Sequence, residues 1–352
     1  MKMHRLVAGA LVFCAISLPG LQALAGSVRN PAMFNHPGNL LTADQFNNRV
    51  IETDKNGNIV WSWGLGPTDF SANSILGVND TERVGTDTLM AGTGIPAGVD
   101  PNCPAGCVDS RVILVDANGN IVWQYGQFGV NGFGPDQLSA PVQATYAPDK
   151  TVYITDQGNQ RVIQVDQNLN ILWQYGTTGV SGNGFDQLNN PNSAELLKNG
   201  DVLIADEGNN RVIEVDKATL NVVATYTAMG TMSGPAFASL LPNHQLLVTD
   251  SNNNRVITLD TGDNVLFQYF TNTQIGSNPN PLPTRAVAGR GQTFVISDQF
   301  NNRVIIVDKK GRLLKQYGNL NVIGYGTTNT QQGLYAPYDA KIIGDFKGLT
   351  RP

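Results

Sequence analysis

Histidine and cysteine are the scarcest reactive residues in this 352-residue chain, with three of each. His4 and Cys14 fall in the first 25 residues, which leaves His36 and His244, far apart, and the close pair Cys103 and Cys107. No Ser-His-Asp or Cys-His arrangement suggests itself from two distant histidines and no spare unpaired thiol. Positive charge is also short: 23 Lys and Arg stand against 28 Asp and Glu, a formal charge of −5. A nucleic-acid partner calls for a basic face, so none is expected. Long apolar runs are missing beyond the first residues, and no membrane span is expected. Helical periodicity of useful length is missing as well, which disfavours helical repeat folds.

The opening residues read as an address, not as part of the fold. Met1 to Arg5 is short and basic, Leu6 to Leu18 is apolar, and Ala23-Leu24-Ala25 offers small residues to a signal peptidase. Residues 1–25 are therefore expected to be a signal peptide cut before Gly26. A membrane anchor fits less well, because the run falls short of the ~20 residues a bilayer needs and Pro19-Gly20 breaks it. A lipoprotein would need Cys14 at the cleavage point. Losing Lys2 and Arg5 takes the formal charge from −5 to −7. The expected location is secreted or periplasmic. In that oxidising setting Cys103 and Cys107 are expected to close a small disulfide loop.

The strongest signal is internal repetition. The frame LLTADQFNNRVIETDKNGNIVWSWG at 40–64 recurs as VYITDQGNQRVIQVDQNLNILWQYG at 152–176 and as VLIADEGNNRVIEVDKATLNVVATY at 202–226. Two further copies run over 246–270 and 294–318, and a degenerate one over 107–126. Each copy reads as three strands: a β-branched one ending at Asp, a second opening at Arg, and a third carrying aromatics. Asn-Gly turns such as Asn56-Gly57 favour the hairpins between them. A fourth, innermost strand precedes each frame after a proline, with Ala three places on (Pro141 and Ala144, Pro191 and Ala194, Pro235 and Ala238). Six copies at a four-stranded spacing predict an all-β, six-bladed β-propeller with about four antiparallel strands per blade. The length would ordinarily suggest two domains; the repeats override that prior.

The D-x-x-N-x-R-V-I frame, the Asp that follows it, the W-Q-Y-G strand end and the Q-L-x-x-P connection resemble NHL repeats. The resemblance covers nearly all of 26–352 and divides it into blades at 26–64 with 333–346, 65–126, 127–176, 177–226, 227–270 and 271–318. Blade 2 departs: Gly106 stands where the first Asp is expected, and an insertion from Gly94 to Cys107 lengthens its hairpin. The markers Asp44, Arg49, Arg111, Asp156, Arg161, Asp206, Arg211, Asp250, Arg255, Asp298 and Arg303 are expected to be structural, because a pair repeated around a ring cannot converge on one substrate. Closure of the ring has two candidates. Residues 333–343 copy the inner-strand pattern, and Asn30 to Phe34 fits it too; the C-terminal segment is preferred because it joins the two ends in one sheet.

Some NHL-like lyases hold zinc through histidines, and His36 and His244, in different blades, do not supply such a ligand set. Gluconolactonase-like propellers hold calcium through Glu, Asn and Asp. By that analogy calcium is the cofactor to consider here, although none is expected. Asn192, Glu195 and Asp339 are the ligand-type residues near the starts of inner strands. Arg285 and Lys341 occupy equivalent places and would pair with those acids. All five are candidate binding residues at the tunnel mouth. The expected function is an exported binding or scaffold module for an unidentified protein or small extracytoplasmic ligand. A calcium-type lactonase or lyase is the alternative.

Overall fold

In the computed structural model, which describes residues 26–28, 30 and 32–345, six antiparallel sheets succeed one another as blades. The leader expected over 1–25 lies outside the described residues. Among the described residues, helix is confined to single 3-10 turns. Blade 3 shows the plan. Pro141–Tyr146 is innermost, followed outward by Val152–Asp156, Arg161–Val165 and Ile171–Tyr175. Blades 4, 5 and 6 repeat it from Pro191–Leu196, Pro235–Leu240 and Arg285–Gly289. Blade 2 begins at Val78–Val84, without the proline.

The ring closes in blade 1 through the chain's end. Pro337–Ile342 pairs antiparallel with Leu40–Asp44 in the innermost position. The N-terminal alternative does not take that slot. Gly26–Val28 instead pairs with Ile59–Trp63 at the outer edge, making blade 1 five-stranded.

β-Branched and aromatic residues fill the space between blades. Outside blade 2, the repeated alanine of the inner strand packs against the blade before it. Ala144 meets Leu89 and Val112, Ala238 meets Leu203 and Val212, and Ala340 meets Val295 and Val304. A larger side chain there would push neighbouring blades apart. Trp61, Trp63, Trp123, Tyr125, Tyr175 and Tyr317 of the outer strands are buried. Trp63 and Trp173 also donate indole N–H bonds to Gly119 and Lys217 of the next blade, both at 3.0 Å. The glycine ending the W-Q-Y-G strand is required by space. At Gly126 and Gly176, both at positive φ, a Cβ would press on the carbonyls of Ser110 and Gln160.

Strand registers place all blade corners on one end. In blade 3, Asp156 pairs with both Arg161 and Pro141, and Tyr175 pairs with Val162. The D-x-x-N-x-R turns and the six connections between blades therefore share one face, and the short hairpins share the other. Cys103 and Cys107 are disulfide-bonded within the blade 2 insertion, on the connection face.

A chain ending before Gly333 would lose the innermost strand of blade 1 and the Leu334 and Ala340 contacts with blade 6. It should aggregate or melt more than about 10 °C below the full-length protein. Thermal unfolding followed by circular dichroism checks this, and coincident melting curves would count against closure by the C-terminal strand.

Candidate functional site

Each blade corner is built around one buried carboxylate. Arg161 Nε donates to Asp156 at 2.8 Å, as does Asn159 Nδ2, and the Ser139 N–H donates to the other oxygen at 2.8 Å. Asn159 Nδ2 also holds the Gly132 carbonyl of the incoming connection at 2.7 Å. Ion pairs of the same kind join Asp44 to Arg49, Asp206 to Arg211, Asp250 to Arg255 and Asp298 to Arg303, at 2.6–2.9 Å. All these carboxylates are fully buried. Burial pushes the Asp298 carboxyl up to about 6 in spite of Arg303.

Blade 2 keeps the arrangement by other means, which corrects the assignment of Gly106. The residue opposite Arg111 is Gly92, not Gly106. With no side chain on Gly92, the Asp109 carboxyl fills that space and binds Arg111 Nε at 2.5 Å. The residue before each marker arginine is left-handed: Asn48, Ser110, Gln160, Asn210, Asn254 and Asn302 all have φ of 50–59°. Its side chain accepts an N–H just ahead of the next inner strand, from the residue immediately before it (Gly77, Ala140, Asn190, Gly234 or Ala336) or, in blade 6, from Leu282 three positions before it. Asn and Gln suit both tasks, since they combine tolerance of positive φ with a carbonyl acceptor. The sequence showed the asparagines, but not that they fasten one blade to the next.

The five tunnel candidates lie at three levels. Asn192 is nearest the connection face, where its amide meets Tyr338 Oη of the opposite blade at 3.0 Å and Glu207 Oε2 at 2.8 Å. At mid-tunnel, Arg285 reaches Asp80 at 2.9 Å and Asp339 at 3.4 Å, and lies over the Phe237 ring. Lys341 pairs with Asp339 at 2.6 Å and with Asp80 at 3.3 Å. Glu195 and Glu82 line the tunnel beyond it, with Gln143, Thr145 and Lys341. Arg285, Asp339 and Lys341 are thus brought together, while Asn192 and Glu195 stand on either side of them. Asp80 and Glu82 were missed because blade 2 lacks the proline and alanine that mark the other inner strands.

These acids cap backbone. The innermost strand of each blade is an open edge whose N–H groups need acceptors. Asp339 accepts the N–H of Thr81, Asp80 that of Ala144, Gln143 that of Ala194 and Ser193 that of Ala238. Glu82 and Glu195 do the same for Tyr146 and Leu240. Burial opposes ionisation of Asp339, yet Lys341 and Arg285 hold its carboxyl below the ordinary range. Burial raises that of Asp80. Among the described residues, no group of three or more His, Cys, Asp or Glu is disposed to hold a metal.

The two faces of the ring differ sharply. Every connection exposes a large apolar residue: Leu65, Phe133, Phe185, Met229, Ile275 and Ile323, from 42% to 99% exposed. None of the connections, over 65–77, 127–140, 177–190, 227–234, 271–284 and 319–336, contains Lys or Arg. The hairpin face carries Lys55, Lys150, Lys198, Lys217, Arg290, Lys309, Lys310 and Arg312.

Fold and site together define a six-bladed β-propeller with a plugged tunnel and one apolar-tipped face whose connections carry no Lys or Arg. No family model matches the chain, and no curated protein matches it. Among solved structures it is similar to a Bacteroides caccae protein of unknown function, at 13% identity and TM-score 0.56, over 80% of this chain and 93% of that one. A streptogramin B lyase aligns at 13% identity and TM-score 0.54, covering 81% and 80%. The WD40 β-propeller domain of Doa1 aligns at 11% identity and TM-score 0.50, covering 82% and 87%. At these identities the likeness concerns the fold alone.

Glu82 yields a pH test. Burial pushes its carboxyl up to about 8, with Lys341 pulling the other way. A carboxyl raised in the folded state contributes stability below its ordinary value of 4.5 and loses it as pH rises through 8. Glu82→Gln keeps an acceptor for the Tyr146 N–H but carries no charge. Its melting temperature relative to wild type should rise between pH 5 and pH 9. A difference that stays flat or falls would show that Glu82 is not neutral at low pH within the fold.

Proposed function

We propose that this chain is an exported NHL-type propeller that acts as a binding platform, docking a protein partner on its connection face. The observation that carries this reading is the pattern of that face: a large exposed apolar residue in all six connections and no Lys or Arg in any of them. Cores of protein interfaces are depleted of charge and enriched in aromatic residues and Met. Exposed apolar groups gathered on one face are a mark of interaction sites. The corner bonds support the reading further, because connections held at several points lose little conformational freedom on docking. An exported location rests on the leader-like first 25 residues, and the NHL assignment rests on the repeated D-x-x-N-x-R frame. The function requires no cofactor.

The tunnel acids favour this reading over a calcium-type lactonase or lyase, since they are engaged by Arg285, Lys341 and inner-strand N–H groups. A photo-crosslinking residue at Phe133 or Phe185 should yield one discrete adduct in the native exported fraction, and one at Lys150 or Lys309 should yield none. Phe133→Asp with Phe185→Asp should weaken capture about tenfold or more, with an unchanged melting temperature. Adducts from the hairpin face alone, or capture indifferent to the double substitution, would overturn the reading.

A further inference from the structure

The repeat supplies its own controls, and one position fails to follow them. The residue after the strand-end Asp opens the 3-10 turn at each intact blade corner. It is Gln45, Gln157, Ser251 and Gln299 in four blades, and Glu207 in blade 4. The turn has no need of the acid. Asp206, just before it, has φ −93° and ψ 75°, and Asp156 before Gln157 has φ −91° and ψ 73°. The carboxylate is an addition to the fold.

Its surroundings are those of a recess. Gln157, Asn190, Glu207, Gly208, Asn210 and Asn252 line a cavity of 450 Å³ on the connection face, between the corners of blades 3, 4 and 5. Amide donors meet one oxygen of Glu207, from Asn192 at 2.8 Å and from Gln157 at 3.4 Å. No ion pair to Glu207 occurs among the described residues, whereas every marker Asp has its arginine. The lining carries no cation, and neither do the six connections.

We infer that this recess receives a cationic side chain, arginine or lysine, of the protein that docks on the connection face. This rests on the platform reading and adds a polar anchor to its apolar contacts. The Glu207 carboxylate supplies the opposite charge, and the amide oxygens around it accept the remaining N–H groups of a guanidinium or ammonium. In the free protein, burial raises the Glu207 carboxyl above its ordinary value, with Asn192 pulling it down. An arriving cation favours the ionised form, so binding should release protons and weaken as the pH falls.

The test uses the full mature chain and three probes in calorimetry: N-acetyl-Gly-Arg-Gly-amide, its citrulline counterpart and a neutral disaccharide. Only the arginine peptide should bind, and at least about tenfold more weakly to Glu207→Gln, a loss of 1.4 kcal/mol or more. Gln is native at this turn position in three other blades, so the variant keeps the corner. Equal binding of the citrulline peptide, no effect of the substitution, or binding of the disaccharide alone would overturn the inference. Failure of the platform reading looks different. Crosslinks at Phe133 without arginine binding would leave the platform standing and refute the recess. Arginine binding without crosslinks would keep a cation site and remove its protein partner.

Discussion

The buried aspartate at each blade corner is the interaction on which the rest depends. One carboxylate takes the marker arginine and, in most blades, an asparagine amide and an N–H from the incoming connection. A charge buried this deeply is costly unless paired and fully hydrogen-bonded, and removing one partner of such a pair costs about 3–5 kcal/mol. Blade 2 shows how strongly the requirement holds. Its strand ends in Gly92, and Asp109 delivers a carboxylate to the same place from the other side of the insertion. The position of the charge is kept while its place in the sequence is not.

From that corner two consequences run in opposite directions. Inward, the left-handed Asn, Gln or Ser side chain fixes the start of the next inner strand. That sets the open strand edges around the axis, whose N–H groups are met by Asp80, Asp339, Glu82, Gln143 and Glu195. Two acids and two bases then plug the middle of the tunnel under Tyr338. Outward, the same corner pins the connections, so that Phe133 and Phe185 project from anchored backbone. An anchored face without Lys or Arg in its connections, above a closed tunnel, is what the proposed platform rests on.

Much of the architecture was legible in the sequence because repetition removes ambiguity. Blade number, strand order and the Asp–Arg pairs followed from the copies, and residues 333–343 announced the closing strand by their proline and alanine. What stayed hidden lay where a copy departs from its fellows. Asp109 was masked by a spacing of two residues to Arg111 in place of five, and Asp80 and Glu82 by the missing proline of blade 2. Glu207 reads as one more polar turn residue until its neighbours are seen to lack a cation. The apolar connection residues could not be told from core in one dimension: Leu138 and Phe133 are five positions apart, one fully buried and the other 69% exposed.

The central claim is that the connections form a held platform and not a set of loose loops. Hydrogen exchange of the native protein addresses it directly. The amides of Ser139, Asn189, Ser233 and Tyr335, each bonded to a corner aspartate, should exchange as slowly as those of the blade strands. Exchange as fast as at Phe133 and Phe185 would mean that the corner bonds do not hold the face, and would contradict the account.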